Sequence, residues 1–287
     1  MSDSSFQIDR KITRQHFERA VESYDAAAIL QQEIARRLVE RLDYIKVKPE
    51  IAMDLGCGTG QITAALLKQY PKAKILSLDL AHGMVAKAKK KGSWRRKPLG
   101  ICADVHQLPI KANSVDLIIS NLMLQWSDDL PTAFQNMAAC MRAGGLLLFT
   151  TFGPDTLKEL RQSWAKVDDL PHSSTYTDMH DIGDELMRAG FSQPVMDMEM
   201  ITMTYSSVKQ LMRDLKQIGA SNAVTGRRKT LTGKQRIAAF ETAYETYRQD
   251  NGLYPASYEV IYGHAWMPDT QIKTPTDTTK YIPIKSI

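Results

Sequence analysis

One stretch constrains this chain more than any other feature: Asp54-Leu55-Gly56-Cys57-Gly58-Thr59-Gly60. It follows an apolar run, Ile51 to Leu55, and opens a helical pattern, Gln61 to Gln69. Three glycines in five residues exceed what a plain strand-to-helix turn needs. They permit left-handed backbone and close approach of a ligand to the main chain. The spacing is G-x-G-x-G, not the G-x-G-x-x-G of a dinucleotide fingerprint, whose helix N-terminus receives a pyrophosphate. Asp54 repels an anion and suits a ligand bearing an ammonium or sulfonium. The loop therefore points away from nucleotide phosphates and towards S-adenosylmethionine.

Strand and helix patterns alternate on both sides of this loop. Strands are expected at Ile51 to Leu55, Lys74 to Leu80, Leu99 to Ala103, Val115 to Asn121 and Leu146 to Phe152. Helices fall between them at Gln61 to Gln69, Met84 to Lys91 and Leu130 to Met141. Such alternation, with right-handed crossovers, predicts an α/β fold: a doubly wound, seven-stranded, mostly parallel sheet of Rossmann-like type. Residues 1–45 read as a helical lid. Its first helix, Arg10 to Ser23, carries Ile12, His16, Phe17, Ala20 and Val21 on one side; its second is capped by Asp25 and repeats Ile29, Ile34, Leu38 and Leu42.

The α/β core is expected over residues 46–205. It includes helices at Thr156 to Lys166 and Asp178 to Ala189 and a strand at Val195 to Tyr205. Residues 206–250 read as a helical insertion, with helices at Val208 to Ile218 and Lys234 to Arg248. The last core strand lies in 251–268, at Tyr258 to Trp266, and the Thr- and Pro-rich tail 269–287 is expected to be disordered.

Ligands of this fold bind at the carboxyl ends of the strands. Three acids sit there: Asp54, Asp79 and Asp104. Asp79, with Leu80 after it, is placed to accept the ribose hydroxyls, and Asp104, followed by Val105, suits the adenine amino group. Asn121 closes the fourth strand, so Asn121, Gln125 and Trp126 should face the transferable methyl. Cys57 reads as a small space-filler. His82, His106, His172 and His180 are isolated and read as surface or capping residues; no nucleophilic triad is recognisable.

Composition narrows the class. A hydrophobic content of 43% supports a packed core over the 287 residues. No apolar run reaches the length of a membrane span. Three scattered cysteines fit neither a disulfide framework nor a zinc site, and no metal site is expected. A reducing cytoplasm suits them.

The chain resembles the malonyl-acyl-carrier-protein O-methyltransferases of biotin synthesis over about residues 10 to 267. The resemblance rests on Phe17-Glu18-Arg19-Ala20 leading to Ser23-Tyr24-Asp25, on the glycine loop, and on Ser120-Asn121-Leu122 into Leu124-Gln125-Trp126. Thr156-Leu157-Lys158-Glu159-Leu160, Leu215-Lys216-Gln217-Ile218-Gly219-Ala220 and Tyr258-Glu259-Val260-Ile261-Tyr262-Gly263 extend it. The chain departs at Met141-Arg142-Ala143-Gly144-Gly145, at Pro255-Ala256-Ser257 and at His82-Gly83. The resemblance implies a class I, S-adenosylmethionine-dependent methylation of the free carboxylate of malonyl on acyl carrier protein. Tyr24, Asn121 and Gln125 become the candidate catalytic residues, with Tyr24 orienting the carboxylate. Arg10 and Arg14 are weaker candidates for the cofactor's own carboxylate.

Between Ser206 and Arg236 stand eight basic residues and one acid, Asp214. With Trp126 at the mouth, Arg213, Lys216, Arg227 and Arg228 are candidates for docking an acidic carrier. Lys87 to Lys97 holds seven bases and no acid and reads as a solubilising face, with nucleic acid the lesser reading. The competing functions are a related methyltransferase for another small acid or RNA, an arginine hydroxylase like the complex I assembly factors, and a cofactor-binding protein without turnover.

Overall fold

The computed structural model describes residues 7–228, 230 and 232–269. Three helices precede the sheet: α1 (Arg10–Ala20), α2 (Tyr24–Ala27) and α3 (Ile29–Glu40). Asp25 does not cap the second expected helix. It lies in the first turn of the short α2, and its carboxylate instead accepts a 2.5 Å hydrogen bond from the Thr59 hydroxyl of the glycine loop. A break at Ala28, where ψ is 44°, separates α2 from α3 and lets Tyr24 face the sheet while α3 packs along it.

The strands are β1 (Ile51–Leu55), β2 (Lys74–Asp79), β3 (Leu99–Cys102), β4 (Val115–Asn121), β5 (Met141–Phe152), β6 (Ser192–Tyr205) and β7 (Tyr254–Trp266). They form one sheet in the order β3-β2-β1-β4-β5-β7-β6. The first five run parallel; β7 pairs antiparallel with β5 and β6. β5, β6 and β7 start earlier than expected. Met141 already pairs with Val115, and the long β6–β7 ladder extends from Ser192↔Trp266 to Tyr205↔Tyr254.

Both faces are covered, and the period-two alternation of buried strands sorts the core. Ala52, Leu117, Ile119, Leu146 and Leu148 face one hydrophobic cluster, with Ile34, Leu38 and Leu66. Met53, Ile118, Leu147 and Phe149 face the other, with Phe134 and Met137. The crossover helices are α4 (Gln61–Gln69), α5 (His82–Ala88) and α6 (Leu130–Cys140), followed by α7 (Lys158–Ala165) and α8 (Met179–Arg188). Strand order reverses between β1 and β4, which opens a crevice at their carboxyl ends.

Between β6 and β7 lie α9 (Val208–Gln217) and α10 (Lys234–Tyr244). This segment and the N-terminus are stitched together over the crevice. Asp9 N donates to Ala223 O at 2.8 Å, Thr225 N donates to Gln7 O at 2.8 Å, and the Ser23 hydroxyl donates to Gln217 O at 2.7 Å. Among the described residues no helix is long and apolar enough to cross a membrane, and no group of ligating side chains could hold a metal ion. Of the expected disordered tail, all but Asp269 lies outside the described residues.

Candidate active site

The glycine loop wraps the end of β2. Gly56 N and Cys57 N both donate to Leu78 O, at 2.8 and 2.9 Å, and Gly58 N donates to Asp79 Oδ2 at 2.9 Å. Gly56, Gly58 and Gly60 all have positive φ, at 76°, 49° and 93°. The reason differs along the loop. A Cβ on Gly60 would stand 2.6 Å from the Ala88 Cα, so Gly60 serves the packing of the loop on α5 and lies outside the cavity lining. A Cβ on Gly58 would meet only a Tyr24 ring carbon at 3.9 Å; there the main chain faces open space.

The three acids have different settings. The Asp79 carboxylate accepts Gly58 N through Oδ2 and Ala81 N through Oδ1 at 2.8 Å. Each oxygen keeps capacity for a further donor. Burial pushes Asp79 up to about 6, against its backbone hydrogen bonds. Asp54 is 1% exposed and accepts a 2.6 Å bond from the Thr63 hydroxyl, which also meets Ser77. Burial pushes it up to about 7, so its negative charge is only partly developed at neutral pH. Asp104 is held below the usual range, chiefly by its 2.5 Å bond to the His106 ring. It also accepts His106 N at 2.9 Å, capping the next turn, and Arg10 stands 3.8 Å away.

Two histidines read as surface residues are not. His106, 7% exposed in its side chain, bridges Asp104 and the Ser127 hydroxyl. His172 stacks on Trp164 at 3.9 Å and bonds Asp168 at 2.7 Å. Both rings are largely withdrawn from solvent because each completes a network, His106 reaching across to Ser127 and His172 held between Trp164 and Asp168. Arg10 pairs with Asp128 at 2.8 Å, at the Asp104 end of the crevice rather than beside the glycine loop. The basic run from Lys87 to Lys97 is partly structural. Lys87 donates to Val21 O at 2.7 Å, and the Arg96 guanidinium donates to Leu67 O and Tyr70 O. These bonds fasten loops, so the run is not a uniform solvated face.

Three cavities converge on Tyr24. The first is lined by Leu55, Gly56, Gly58, Asp79, Leu80, Asp104, Val105 and Asn121. The second, of about 440 Å³, is walled by Gln125, Trp126, Trp164, Tyr176 and the residues of the insertion; that size is ordinary for a small-molecule site, ~300–1,000 Å³. The third borders Asp54, Gly56, Gly58 and Asn121 and reaches Gln31 and Lys91. Tyr24 lines all three. Burial, with Asp79 and Asp25 nearby, pushes its phenol well above the usual tyrosine value, so it stays protonated. Trp126 meets Phe17 edge-to-face at 5.2 Å between the first two cavities. Asn121 accepts the Thr150 hydroxyl at 2.8 Å and donates to Gln31 O at 3.2 Å, which aims it across the junction.

Of the basic candidates, Lys216, Arg227 and Arg228 line the second cavity, whereas Arg213 is exposed on α9 outside it. Gln31, His106 and Lys91 were not anticipated. The Asp104-x-His106 pair in a tight turn was the one local signal; the others depend on the fold.

Residues 53–149 match a family model described as a methyltransferase domain. The chain is 48% identical over 275 residues to a malonyl-acyl-carrier-protein O-methyltransferase of Gallionella capsiferriformans, covering 94% of each chain. It is 46% identical over 260 residues to the protein of the same name in Halorhodospira halophila, covering 90% of this chain and 88% of that one. Among solved structures, the YcgJ protein of Bacillus subtilis superposes with a TM-score of 0.57 at 13% identity, over 81% of this chain and 99% of that one, a likeness of fold.

Proposed function

The chain belongs to the malonyl-acyl-carrier-protein O-methyltransferases, and from that premise we propose that it methylates the free carboxylate of a malonyl thioester borne by acyl carrier protein, with S-adenosylmethionine as donor. The observation that carries this reading is the position of Tyr24, where a cavity lined by Asp79 and Asp104 meets a larger one lined by cations.

The residues of the first and third cavities fit the donor. Asp79 has acceptor capacity left for the ribose hydroxyls, between the apolar side chains of Leu80 and Val105. Asp104 stands at the adenine end. Gly58 presents bare main chain towards the methionine end, where Asp54 and Asn121 also lie. When bound, S-adenosylmethionine supplies a methyl group already activated by its sulfonium.

The protein's own contribution is then alignment and dryness. A malonyl carboxylate is ionised at neutral pH, so no general base is needed. Tyr24, kept protonated by burial, donates a hydrogen bond to that carboxylate and sets its approach. Gln125 and Asn121 flank the path, and the Phe17–Trp126 pair keeps water from the junction. Esterification masks the charge, so that enzymes built for apolar acyl chains accept the product for extension towards biotin. Arg213, exposed on α9, presents positive charge outward and suits an acidic carrier. The reaction belongs in the cytoplasm.

The test is methyl transfer from labelled S-adenosylmethionine, with malonyl carrier protein, malonyl-coenzyme A and RNA offered in parallel. Label should enter the malonyl thioesters. Label on RNA alone, or on none of the three, contradicts the proposal.

A further inference from the structure

The second cavity has an unusual electrostatic lining. Lys216, Arg227 and Arg228 contribute positive charge, and among the described residues no aspartate or glutamate lines it. None of the three cations has an ion-pair partner among the described residues. Arg227 is tied only to its own turn, donating to Val224 O at 3.0 Å; Arg228 makes a 3.3 Å contact with the Thr230 hydroxyl. The Arg228 Nε is buried with no hydrogen-bond partner. A guanidinium nitrogen withdrawn from water and left without an acceptor is costly unless a ligand supplies one.

The cations of this lining all come from the insertion, whereas Tyr24, Gln31 and Gln125 contribute neutral hydrogen-bonding groups. The same lining holds apolar and aromatic side chains, among them Leu160, Trp164, Tyr176 and Ile237. A lining of neutral polar, apolar and cationic groups suits a ligand that combines an acyl head, an uncharged middle and an anionic tail. Arginine forks match phosphate oxygens in planar, paired geometry.

We propose that Arg227 and Arg228, with Lys216, form a seat for the phosphate of a 4′-phosphopantetheine arm. The inference rests on the malonyl-thioester reading above and names the part of the substrate that the enzyme grips. That phosphate is a phosphodiester to a serine in a carrier protein and part of the diphosphate in coenzyme A. The seat thus serves both thioesters, and preference for the carrier arises outside it, on the exposed face of α9.

The experiment compares kcat/KM for malonyl carrier protein, malonyl-coenzyme A and malonyl-pantetheine, which lacks the phosphate. Wild-type protein should prefer the two phosphorylated thioesters by on the order of tenfold or more, the scale of one or two charge-assisted hydrogen bonds. In Arg227→Gln/Arg228→Gln that preference should narrow towards unity, mainly through KM, and Arg228→Lys should restore part of it. Loss confined to the carrier substrate would move these arginines to protein docking and overturn the seat. An equal loss on all three thioesters would make their role structural and overturn it as well. A measurement on unmutated protein covers a variant that does not fold. Calorimetry should show 4′-phosphopantetheine binding and pantetheine binding at least tenfold more weakly; equal affinities would refute the seat. If wild-type protein methylates no malonyl thioester, the parent reading fails, and the calorimetric comparison still judges the phosphate seat alone.

Discussion

At the scale of the residue, Asp79 carries the most testable chemistry. Its carboxyl is pushed up to about 6, above an ordinary aspartate near 3.9, because burial disfavours the charge. The ionised form accepts ribose hydroxyls better, so cofactor affinity should rise with pH through about 6 and level off above it. Asp79→Asn should flatten that dependence and weaken binding about ten- to hundredfold, measured by calorimetry across the pH range. The sign is definite: affinity that fell as pH rose through 6 would mean that Asp79 does not face the cofactor as an acceptor. Tyr24→Phe removes a donor and little volume. It should lower kcat for malonyl transfer by on the order of tenfold while changing cofactor affinity far less. The reverse split would make Tyr24 a cofactor-binding residue. Asp79 was legible from its place at the end of a strand. The Asp25–Thr59 bond and the bond from His106 to Ser127 were not, because each joins residues that only the folded chain brings together.

At the scale of the element, the glycine loop and the N-terminal helices define the crevice. Gly60→Ala forces a Cβ to 2.6 Å from the Ala88 backbone at a φ of 93°, so it should destabilise by roughly 2–4 kcal/mol in denaturant unfolding. Gly58→Ala meets only the backbone cost of its φ of 49°, roughly 1 kcal/mol, and should instead disturb cofactor binding. Equal destabilisation by both would contradict this division of labour. The loop and the strand–helix alternation were readable because both are local patterns. The fastening of α1 to α5 was not. Both oxygens of the Glu18 carboxylate accept Gly83 N, at 3.0 and 3.1 Å, and Lys87 reaches Val21 O, yet nothing local in either segment announces the partner. The same holds for Arg96, which reads as one more cation in a basic run and is instead a donor to two loop carbonyls.

At the scale of the whole molecule, the sheet order places one crevice under two roofs, the N-terminal helices and the 206–253 segment, and the roofs are bonded to each other. That arrangement separates two electrostatic tasks. The first cavity holds Asp79 and Asp104, and the second, among the described residues, is lined by cations without acids. The outward charge of α9 should steer an acidic carrier over distances comparable to the Debye length. Raising ionic strength from about 0.05 to about 0.5 M should therefore reduce kcat/KM several-fold for malonyl carrier protein. Malonyl-coenzyme A should lose less; an identical salt response for the two thioesters would remove steering from the account.

The most direct measurement is mass spectrometry of the product formed from malonyl carrier protein and S-adenosylmethionine. The account predicts a single added methyl on the distal malonyl carboxylate, as an ester, with the thioester intact. A methyl found on a carrier side chain or on sulfur, or an unmodified malonyl group after full incubation, would contradict it.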